Sequence, residues 1–394
     1  MKVVFYICNM RFLSATHLFD GKQYLDSDLV LVLGGESRLL NIVNRKDVDA
    51  GNIEHYDGII CPGFVNAHCH LELSYLKGEI QPKKGMLEFA KGIISKRMLF
   101  SDQKINDAAT QADKEMWNNG IVAVGDISNV KNSFEIKKNS KLFYHTFIEL
   151  IGLNPMHSEV VFTFGKDILN SLHALNLKGS LTPHAPYSVS GNLMERISSE
   201  NKNLPTSIHN QESAAENEFF REKKGDFTNL YQFLKAPIDY FSPNGKSSIQ
   251  SYLPHLKGTN NLLLIHNTFS SDEDVKWANQ FHDKLFWCLC PNANLYIEDR
   301  LPDINLLINN DCRICLGTDS LASNHSLSIL EEMNVLLERF PELKHEQILK
   351  WATFNGAEAL MISDSFGGFI KNKNAGLNLL NVKNKKLSLI QKLA

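Results

Sequence analysis

The sequence lacks a long apolar run and an excess of positive charge. Within its 394 residues, no uninterrupted apolar segment reaches the roughly 20 residues that span a bilayer. The formal net charge is −3, and the chain has neither a basic stripe nor a polybasic segment. These absences argue against a membrane partner and against a nucleic-acid partner, because both kinds of binding depend on such features.

Glycine-rich loops and export signals are absent as well. The chain has neither the Walker-type loop nor the dinucleotide-binding glycine loop that bind phosphates, and it has no internal repeat. Residues Met1–Met10 lack the long apolar core and the small-residue cleavage site of an export signal. We therefore expect a cytoplasmic protein rather than a periplasmic one.

The cysteines do not form the framework of a small disulfide-rich domain. There are seven, an odd number, spread over a long chain. Cys288 with Cys290 and Cys312 with Cys315 have spacings that a zinc knuckle can use. Zinc ribbons place such pairs on turns, whereas three of these four residues lie in strand-like segments. We therefore expect reduced, buried cysteines.

The middle of the chain alternates short apolar segments with amphipathic ones. Eight apolar segments have the length and composition of parallel strands that are covered on both faces: Ile59–Ala67, Ile121–Ile127, Leu142–Leu150, Leu177–His184, Thr206–Asn210, Leu262–Asn267, Leu285–Pro291 and Arg313–Asp319. The helix-like segments between them include Ile105–Asn118, Leu193–Glu200, Asp272–Phe281 and Leu327–Arg339. This alternation predicts an α/β protein whose residues 59–365 form a closed (β/α)8 barrel, the TIM barrel.

Both chain ends have a different character from the middle. Residues 1–58 contain the strand-like patches Val3–Ile7, Ser14–Leu18 and Leu29–Leu33. Residues 366–394 contain similar strand-like segments. We predict that the two ends pair into one small β-sandwich domain beside the barrel. The connection 211–260 is long and rich in aromatic residues, which suits either a lid over the site or a packed surface insertion.

Six residues that can bind a metal follow the strand-like segments. They are His68, His70, His184, His209, His266 and Asp319. Residues two apart on a strand face the same side, so the first two can bind one ion. Singly, each has an ordinary explanation, such as core packing for a histidine or helix capping for an aspartate. Because catalytic groups of a barrel lie at the carboxyl ends of its strands, the shared placement predicts one catalytic divalent metal site.

Glu212 follows His209 by three residues. A carboxyl group at a helix start is often only solvated, since acids favour that location. Beside a metal-activated water, however, it can take a proton and pass it to the substrate. We predict this proton transfer for Glu212, and we predict that His266 orients the water or stabilises developing negative charge.

The combination of motifs resembles the amidohydrolase superfamily, and within it the deaminase and chlorohydrolase branch. The resemblance extends over nearly the whole chain and rests on Pro62–Ser74, Pro183–Ser188, His209–Glu212, His266, Cys290–Asn294, Gly317–Asn324 and the tail from Gly367 to Leu380.

The resemblance implies a role for each residue. The implied ligands of one divalent ion, Zn²⁺ with Fe²⁺ or Mn²⁺ as alternatives, are His68, His70, His209 and Asp319. Glu212 matches the proton shuttle, His266 matches the histidine that orients the hydroxide, and His184 matches a substrate contact. Two-metal relatives carry a carboxylated lysine at the end of the fourth strand. Because Thr182–Ala185 has no lysine, one metal is expected.

The implied activity is hydrolysis of a carbon–nitrogen bond other than a peptide bond. The resemblance to adenosylhomocysteine, aminofutalosine and guanine deaminases implies that a metal-bound hydroxide deaminates an aminated purine or a nucleoside-like heterocycle. The alternatives are a chlorohydrolase or cyclic-amide hydrolase with the same metal site and, more remotely, a catalytically silent scaffold. The segment Leu87–Arg97 does not align with the ribose-binding segment of nucleoside-processing relatives, which leaves a ribose-bearing substrate undecided. The oligomeric state is also left open, with a homo-oligomer as one alternative.

Overall fold

The computed structural model describes residues 10–394, so the predicted strand Val3–Ile7 lies outside the described residues. The strands are β1 (Arg11–Leu18), β2 (Leu29–Leu33), β3 (Leu39–Asn44), β4 (Ile53–Pro62), β5 (Phe64–Cys69), β6 (Ile121–Ser128), β7 (Phe143–Leu150), β8 (Lys178–Pro183), β9 (Thr206–Asn210), β10 (Leu262–His266), β11 (Leu285–Leu289), β12 (Ile314–Leu316), β13 (Leu377–Lys383) and β14 (Lys386–Lys392).

Helices follow most strands of the middle region. They are α1 (Gly85–Lys96), α2 (Asp102–Asn118), α3 (Phe134–Lys138), α4 (Ser158–His173), α5 (Gly191–Glu200), α6 (Ala214–Glu222), α7 (Asp226–Phe233), α8 (Ser248–Tyr252), α9 (Asp272–Phe281), α10 (Pro291–Glu298), α11 (Ile304–Asn309), α12 (Ile329–Arg339), α13 (His345–Lys350) and α14 (Gly356–Ala359). None of the helices in residues 10–394 combines the length and the apolar character that a membrane crossing requires.

The strands β5 to β12 form two parallel four-stranded sheets, in the orders β5-β6-β7-β8 and β12-β11-β10-β9. The two sheets meet at both pairs of edges. The backbone nitrogens of Thr318 and Asp319 donate to the carbonyl of His68 at 2.9 and 3.1 Å, and His209 N donates to the carbonyl of His184 at 3.0 Å. The predicted α/β class with parallel sheets is therefore confirmed.

One predicted strand, Ile59–Ala67, is two strands in the structure. Its first half belongs to β4, which pairs with β1 and β13, and β5 begins only at Phe64. The change of sheet occurs at Gly63, where a Cβ atom would lie 2.3 Å from Cγ1 of Val122. Only glycine allows this close approach. The apolar run continues through the break because both halves are buried, so hydrophobicity gives no sign of it.

The two chain ends share one sheet. Its six strands have the order β14-β13-β4-β1-β2-β3, so strands from both ends lie side by side. Asn378 in β13 connects this sheet to the middle region, because its Nδ2 donates to the carbonyl of Gly120 at 2.8 Å. In the described residues, the region predicted as a β-sandwich is represented by this single sheet.

A buried ion pair supports the strand ends near the predicted site. Lys137 Nζ lies 2.6 Å from Asp126 Oδ2, and both side chains are fully buried. The lysine also donates to Ser128 Oγ at 2.8 Å. The other carboxylate oxygen of Asp126 accepts from the backbone nitrogen of Leu71 at 2.8 Å. The pair therefore helps to fix the chain directly after His70.

We expect Lys137→Met to lower the free energy of unfolding by about 3–5 kcal/mol, because it leaves a buried carboxylate without its partner. Urea unfolding followed by circular dichroism measures the change. The matched control is Lys138→Met, since Lys138 is exposed and lies 4.0 Å from Glu135. The control is expected to change stability by less than about 0.5 kcal/mol. A Lys137→Met protein as stable as the control would contradict the structural role of the pair.

Candidate metal centre

The four residues predicted as metal ligands lie together at the carboxyl ends of parallel strands. His68 belongs to β5, His70 directly follows it, His209 belongs to β9, and Asp319 lies just after β12. One ligand atom from each lies within 4.8 Å of the others, and all four residues are buried. His68 Nε2 is 3.2 Å from His70 Nε2, and Asp319 Oδ1 lies 3.5 and 3.4 Å from these two nitrogens.

These separations fit one small divalent ion. Ligand atoms at about 2.0–2.1 Å from a tetrahedral ion lie about 3.3 Å from one another. The three distances among His68, His70 and Asp319 are close to this value. Imidazole nitrogens with one carboxylate are also a donor set that suits a catalytic divalent ion. The residues present therefore fit a divalent metal.

The protonation states suit metal binding. Burial lowers the pKa of His70 and of His209 to about 4, and burial also lowers the pKa of His68. These rings are neutral at pH 7 and can offer a nitrogen lone pair. Burial alone would raise the pKa of Asp319, but its contact with His68 and the proximity of His70 and His266 outweigh burial and lower it. The cluster thus combines neutral nitrogen donors with one anionic oxygen donor.

His209 is oriented by the backbone of the neighbouring strand. Its Nδ1 donates to the carbonyl of His184 at 2.7 Å, which leaves Nε2 as the metal-binding nitrogen. Such a hydrogen bond from the second ring nitrogen is the usual means by which proteins fix a ligating histidine.

Glu212 and His266 lie together beside the cluster. Glu212 Oε1 is 3.3 Å from His266 Nε2, and both side chains are buried. Burial, with further contributions from Asp319 and Glu216, raises the pKa of Glu212 well above its usual value. Burial lowers the pKa of His266 well below its usual value. The arrangement places a carboxyl group of raised proton affinity beside an imidazole of lowered proton affinity, which suits acid–base chemistry.

The backbone is strained where it presents these groups. Gln211, His266 and Asp319 have φ values of 45°, 77° and 54°, in the left-handed region that residues other than glycine rarely adopt. Such conformations concentrate at functional sites, where the surrounding structure enforces them. Each of these residues lies at or just after the carboxyl end of its strand. The strained backbone turns the side chains of His266 and Asp319 into the cavity, whereas the side chain of Gln211 hydrogen-bonds to Asn217 and Asp274 instead.

The cluster opens into a cavity of about 540 Å³ with mainly apolar walls. One wall is formed by α1, with Met86 and Phe89, and another by the 211–260 connection, with Leu230 and Tyr240. The volume and the apolar walls suit a small organic molecule.

The 211–260 connection is also packed against the rest of the molecule. The ring of Phe219 stacks on Phe241 with centroids 4.4 Å apart, and the ring of Phe227 stacks on Tyr187 at 3.9 Å. The segment therefore contributes a packed aromatic layer and a cavity wall at the same time, so it combines features of the two predicted alternatives.

The structure brings all seven predicted site residues into this region. His184 lines the cavity with its ring centroid 4.9 Å from that of His209, and its Nδ1 lies 2.7 Å from Ser188 Oγ. Sequence reasoning missed Glu149, which is buried and lines the same cavity at the end of β7. The signal was present, because Glu149 is a polar residue at the carboxyl end of the predicted strand Leu142–Leu150.

The cysteines take no part in a metal cluster among residues 10–394. Cys288, Cys290 and Cys315 are buried without disulfide bonds, as expected, and Cys312 is free and partly exposed. Cys8 lies outside the described residues. The zinc-knuckle alternative therefore receives no support.

A buried three-histidine, one-aspartate cluster at the carboxyl ends of parallel strands has the arrangement of a catalytic divalent metal site. Residues 59–394 match the family described as the Amidohydrolase family, and the chain belongs to this family.

Similar proteins agree with this assignment. An adenosine deaminase from Helicobacter pylori is 29% identical over 337 residues, which are 84% of this chain and 80% of that protein. The crystal structure of Helicobacter pylori aminofutalosine deaminase with methylthio-coformycin has a TM-score of 0.81 at 24% identity, covering 95% of this chain and 93% of that chain. A zinc complex of atrazine chlorohydrolase from Arthrobacter aurescens has a TM-score of 0.73 at 15% identity, covering 93% and 86%. The predicted resemblance to the deaminase and chlorohydrolase branch is confirmed.

Proposed function

We propose that the protein is a metal-dependent aminohydrolase that releases ammonia from an aminated purine in a nucleoside-like substrate. The observation that carries this proposal is the buried carboxyl group of Glu212, 3.3 Å from His266 and beside the four clustered ligands. The similarity to a protein named adenosine deaminase supports the purine. We propose one zinc ion per chain, since a zinc-containing structure shares the fold.

We also propose that β5 to β12 close into one (β/α)8 barrel within residues 59–365, with residues 1–58 and 366–394 forming a composite β-sandwich domain. The hydrogen bonds between the two parallel sheets at both pairs of edges support the closed barrel. The six-stranded sheet shared by both chain ends supports the composite domain. A closed barrel would place every ligand at the same rim, where barrel enzymes have their active sites.

The residues divide the reaction between them. Held by His68, His70, His209 and Asp319, a divalent ion would lower the pKa of a bound water towards about 7 and make it a nucleophile. Glu212 takes a proton from the attacking water on a carboxyl oxygen and delivers it to a ring nitrogen of the purine.

The reaction exchanges the amino group of the ring for the oxygen of the water. The water oxygen bonds to the amino-bearing ring carbon, and the second proton of the water passes from the new hydroxyl group to the amino group. The carbon–nitrogen bond then breaks, ammonia leaves, and a ring carbonyl beside the protonated ring nitrogen remains. His266, whose Nε2 lies next to Glu212 Oε1, orients the water and stabilises negative charge as it develops. The apolar walls of the cavity hold the ring and exclude bulk water.

Elemental analysis combined with an ammonia-release assay tests this function. We expect about one metal ion per chain and ammonia from at least one of adenosine-like, guanine-like and pterin substrates. A metal ion without ammonia from any of them would contradict the deaminase, and chloride release from a chlorinated triazine would then favour the chlorohydrolase alternative. Failure to hold a metal ion even after reconstitution would contradict the site itself. The same elemental analysis distinguishes zinc from iron and manganese.

A further inference from the structure

Asn294 on α10 contacts the His266 ring at the nitrogen that does not lie next to Glu212. Its Nδ2 is 3.4 Å from His266 Nδ1 in hydrogen-bond geometry, and it also donates to Thr268 Oγ1 at 2.5 Å. All three side chains are buried. An amide nitrogen can only donate, so Nδ1 accepts this hydrogen bond with a bare lone pair. The one proton of a neutral imidazole then lies on Nε2.

The opposite orientation of the Asn294 amide is less favourable. Its oxygen would then accept from His266 Nδ1 and Thr268 Oγ1, but both amide N–H groups would take the buried position of the present oxygen, which has no hydrogen-bond partner. Buried N–H groups without a partner are rarer in proteins than under-satisfied carbonyl oxygens. The orientation in the structure uses both N–H groups and leaves only one acceptor unpaired.

Two further contacts hold the His266 ring in place. It stacks on the ring of His209, with centroids 5.4 Å apart and 22° between the planes. Asn267, the next residue, is held by its Nδ2, which donates to the carbonyl of Leu264 at 2.8 Å. His266 Nε2 therefore stays in the site, 3.3 Å from Glu212 Oε1, where it is buried without a hydrogen-bond partner. An unpaired buried N–H group is costly, and a negatively charged oxygen beside it would remove this cost.

We propose that Asn294 is a positioning residue that keeps the proton of His266 on Nε2, so that this histidine donates a hydrogen bond to the attacking oxygen and does not take its proton. This inference rests on the proposed deamination. Negative charge develops on the attacking oxygen during that reaction, and a fixed N–H donor beside such an oxygen lowers the barrier. Glu212 is then left as the group that takes the proton, because the nitrogen of His266 in the site has no free lone pair.

The position of the proton can be measured without a substrate. In the protein reconstituted with zinc and labelled in its histidines, long-range proton–nitrogen correlation spectra distinguish protonated from bare ring nitrogens. Signals that disappear in a His266→Gln variant belong to His266. We expect a bare Nδ1 and a protonated Nε2 in the wild type, and a protonated Nδ1 in Asn294→Asp, whose carboxylate can only accept. A wild-type His266 with its proton on Nδ1 would overturn the proposal, whether or not the Asn294 variants fold.

The kinetics of ammonia release test the consequence for catalysis. Asn294→Asp keeps the shape of the side chain but moves the proton, because burial disfavours a second proton on the ring. Exchange of a carboxylate and an amide beside a catalytic histidine can lower kcat by about 10⁴-fold through the wrong tautomer. We expect kcat to fall at least about 100-fold in Asn294→Asp but only about tenfold in Asn294→Leu, with KM within about threefold of the wild type and unchanged metal content.

A role in packing alone predicts the opposite order, because leucine removes both hydrogen bonds and the planar shape of the amide. The matched control is Asn305→Asp, an exposed position on α11, which should keep the wild-type rate. A rate near that of the wild type in Asn294→Asp, a larger loss in Asn294→Leu, or loss of metal from Asn294→Asp would overturn the proposal. Ammonia from no substrate with the wild-type protein would instead reject the proposed function and the catalytic role of His266 with it, while the spectra would still decide where the proton lies.

Discussion

A Glu212→Gln variant is expected to retain its metal ion but to release ammonia at least about 100-fold more slowly than the wild-type protein. The amide keeps the shape of the side chain, but it cannot accept a proton and pass it on. Burial raises the pKa of Glu212, which makes its carboxylate a stronger base towards the water and stabilises the carboxyl form between taking up the proton and delivering it. Because Glu212 is not among the four clustered ligands, its loss should leave metal content near that of the wild type.

The measurement is kcat for ammonia release, with metal content determined on the same preparation. Glu218→Gln is the matched control, because Glu218 lies on the exposed side of α6, six residues further along the chain. The control should retain the wild-type rate. A Glu212→Gln protein with a rate near that of the wild type would remove Glu212 from the proposed mechanism.

An Asp319→Asn variant is expected to lose both metal and activity. The substitution replaces the one anionic ligand of the cluster with a neutral amide and also changes the acceptor for the hydroxyl of Ser323. Substitutions of groups that only support a ligand already cost about 10- to 100-fold in metal affinity or activity, so a direct ligand should cost at least as much.

Competition with a chelator measures metal affinity, and ammonia release measures the rate. Asp311→Asn is the matched control, since Asp311 is an exposed aspartate shortly before β12 with a similar left-handed φ of 52°. Metal affinity and rate unchanged in Asp319→Asn would rule out this residue as a ligand. Comparison with Glu212→Gln separates the two roles, because one variant should lose the metal and the other only the proton transfer.

The sequence by itself determined the parallel α/β architecture and where to look for the site. Buried parallel strands are short and apolar on both faces, so they stand out against the amphipathic helices between them. The predicted segment Thr206–Asn210 coincides with β9, and Asp272–Phe281 coincides with α9. Polar residues that end such segments are recognisable because they interrupt the apolar pattern. His68, His209 and Asp319 were predicted for this local reason.

Only the tertiary structure decided which of these groups meet and what supports them. Gly63 divides one apolar run between two sheets because Val122, distant in sequence, leaves no room for a side chain. Lys137 lies on a five-residue helix and would be expected at the surface, yet it is buried against Asp126.

Glu149 went unnoticed because a single glutamate at a strand end is common, and only its unpaired oxygen inside the cavity distinguishes it. Hydrophobic period and strand length are local properties that a single segment displays. In contrast, contacts between residues far apart in the chain bring the side chains to one site, bury them and hold their backbone in left-handed conformations.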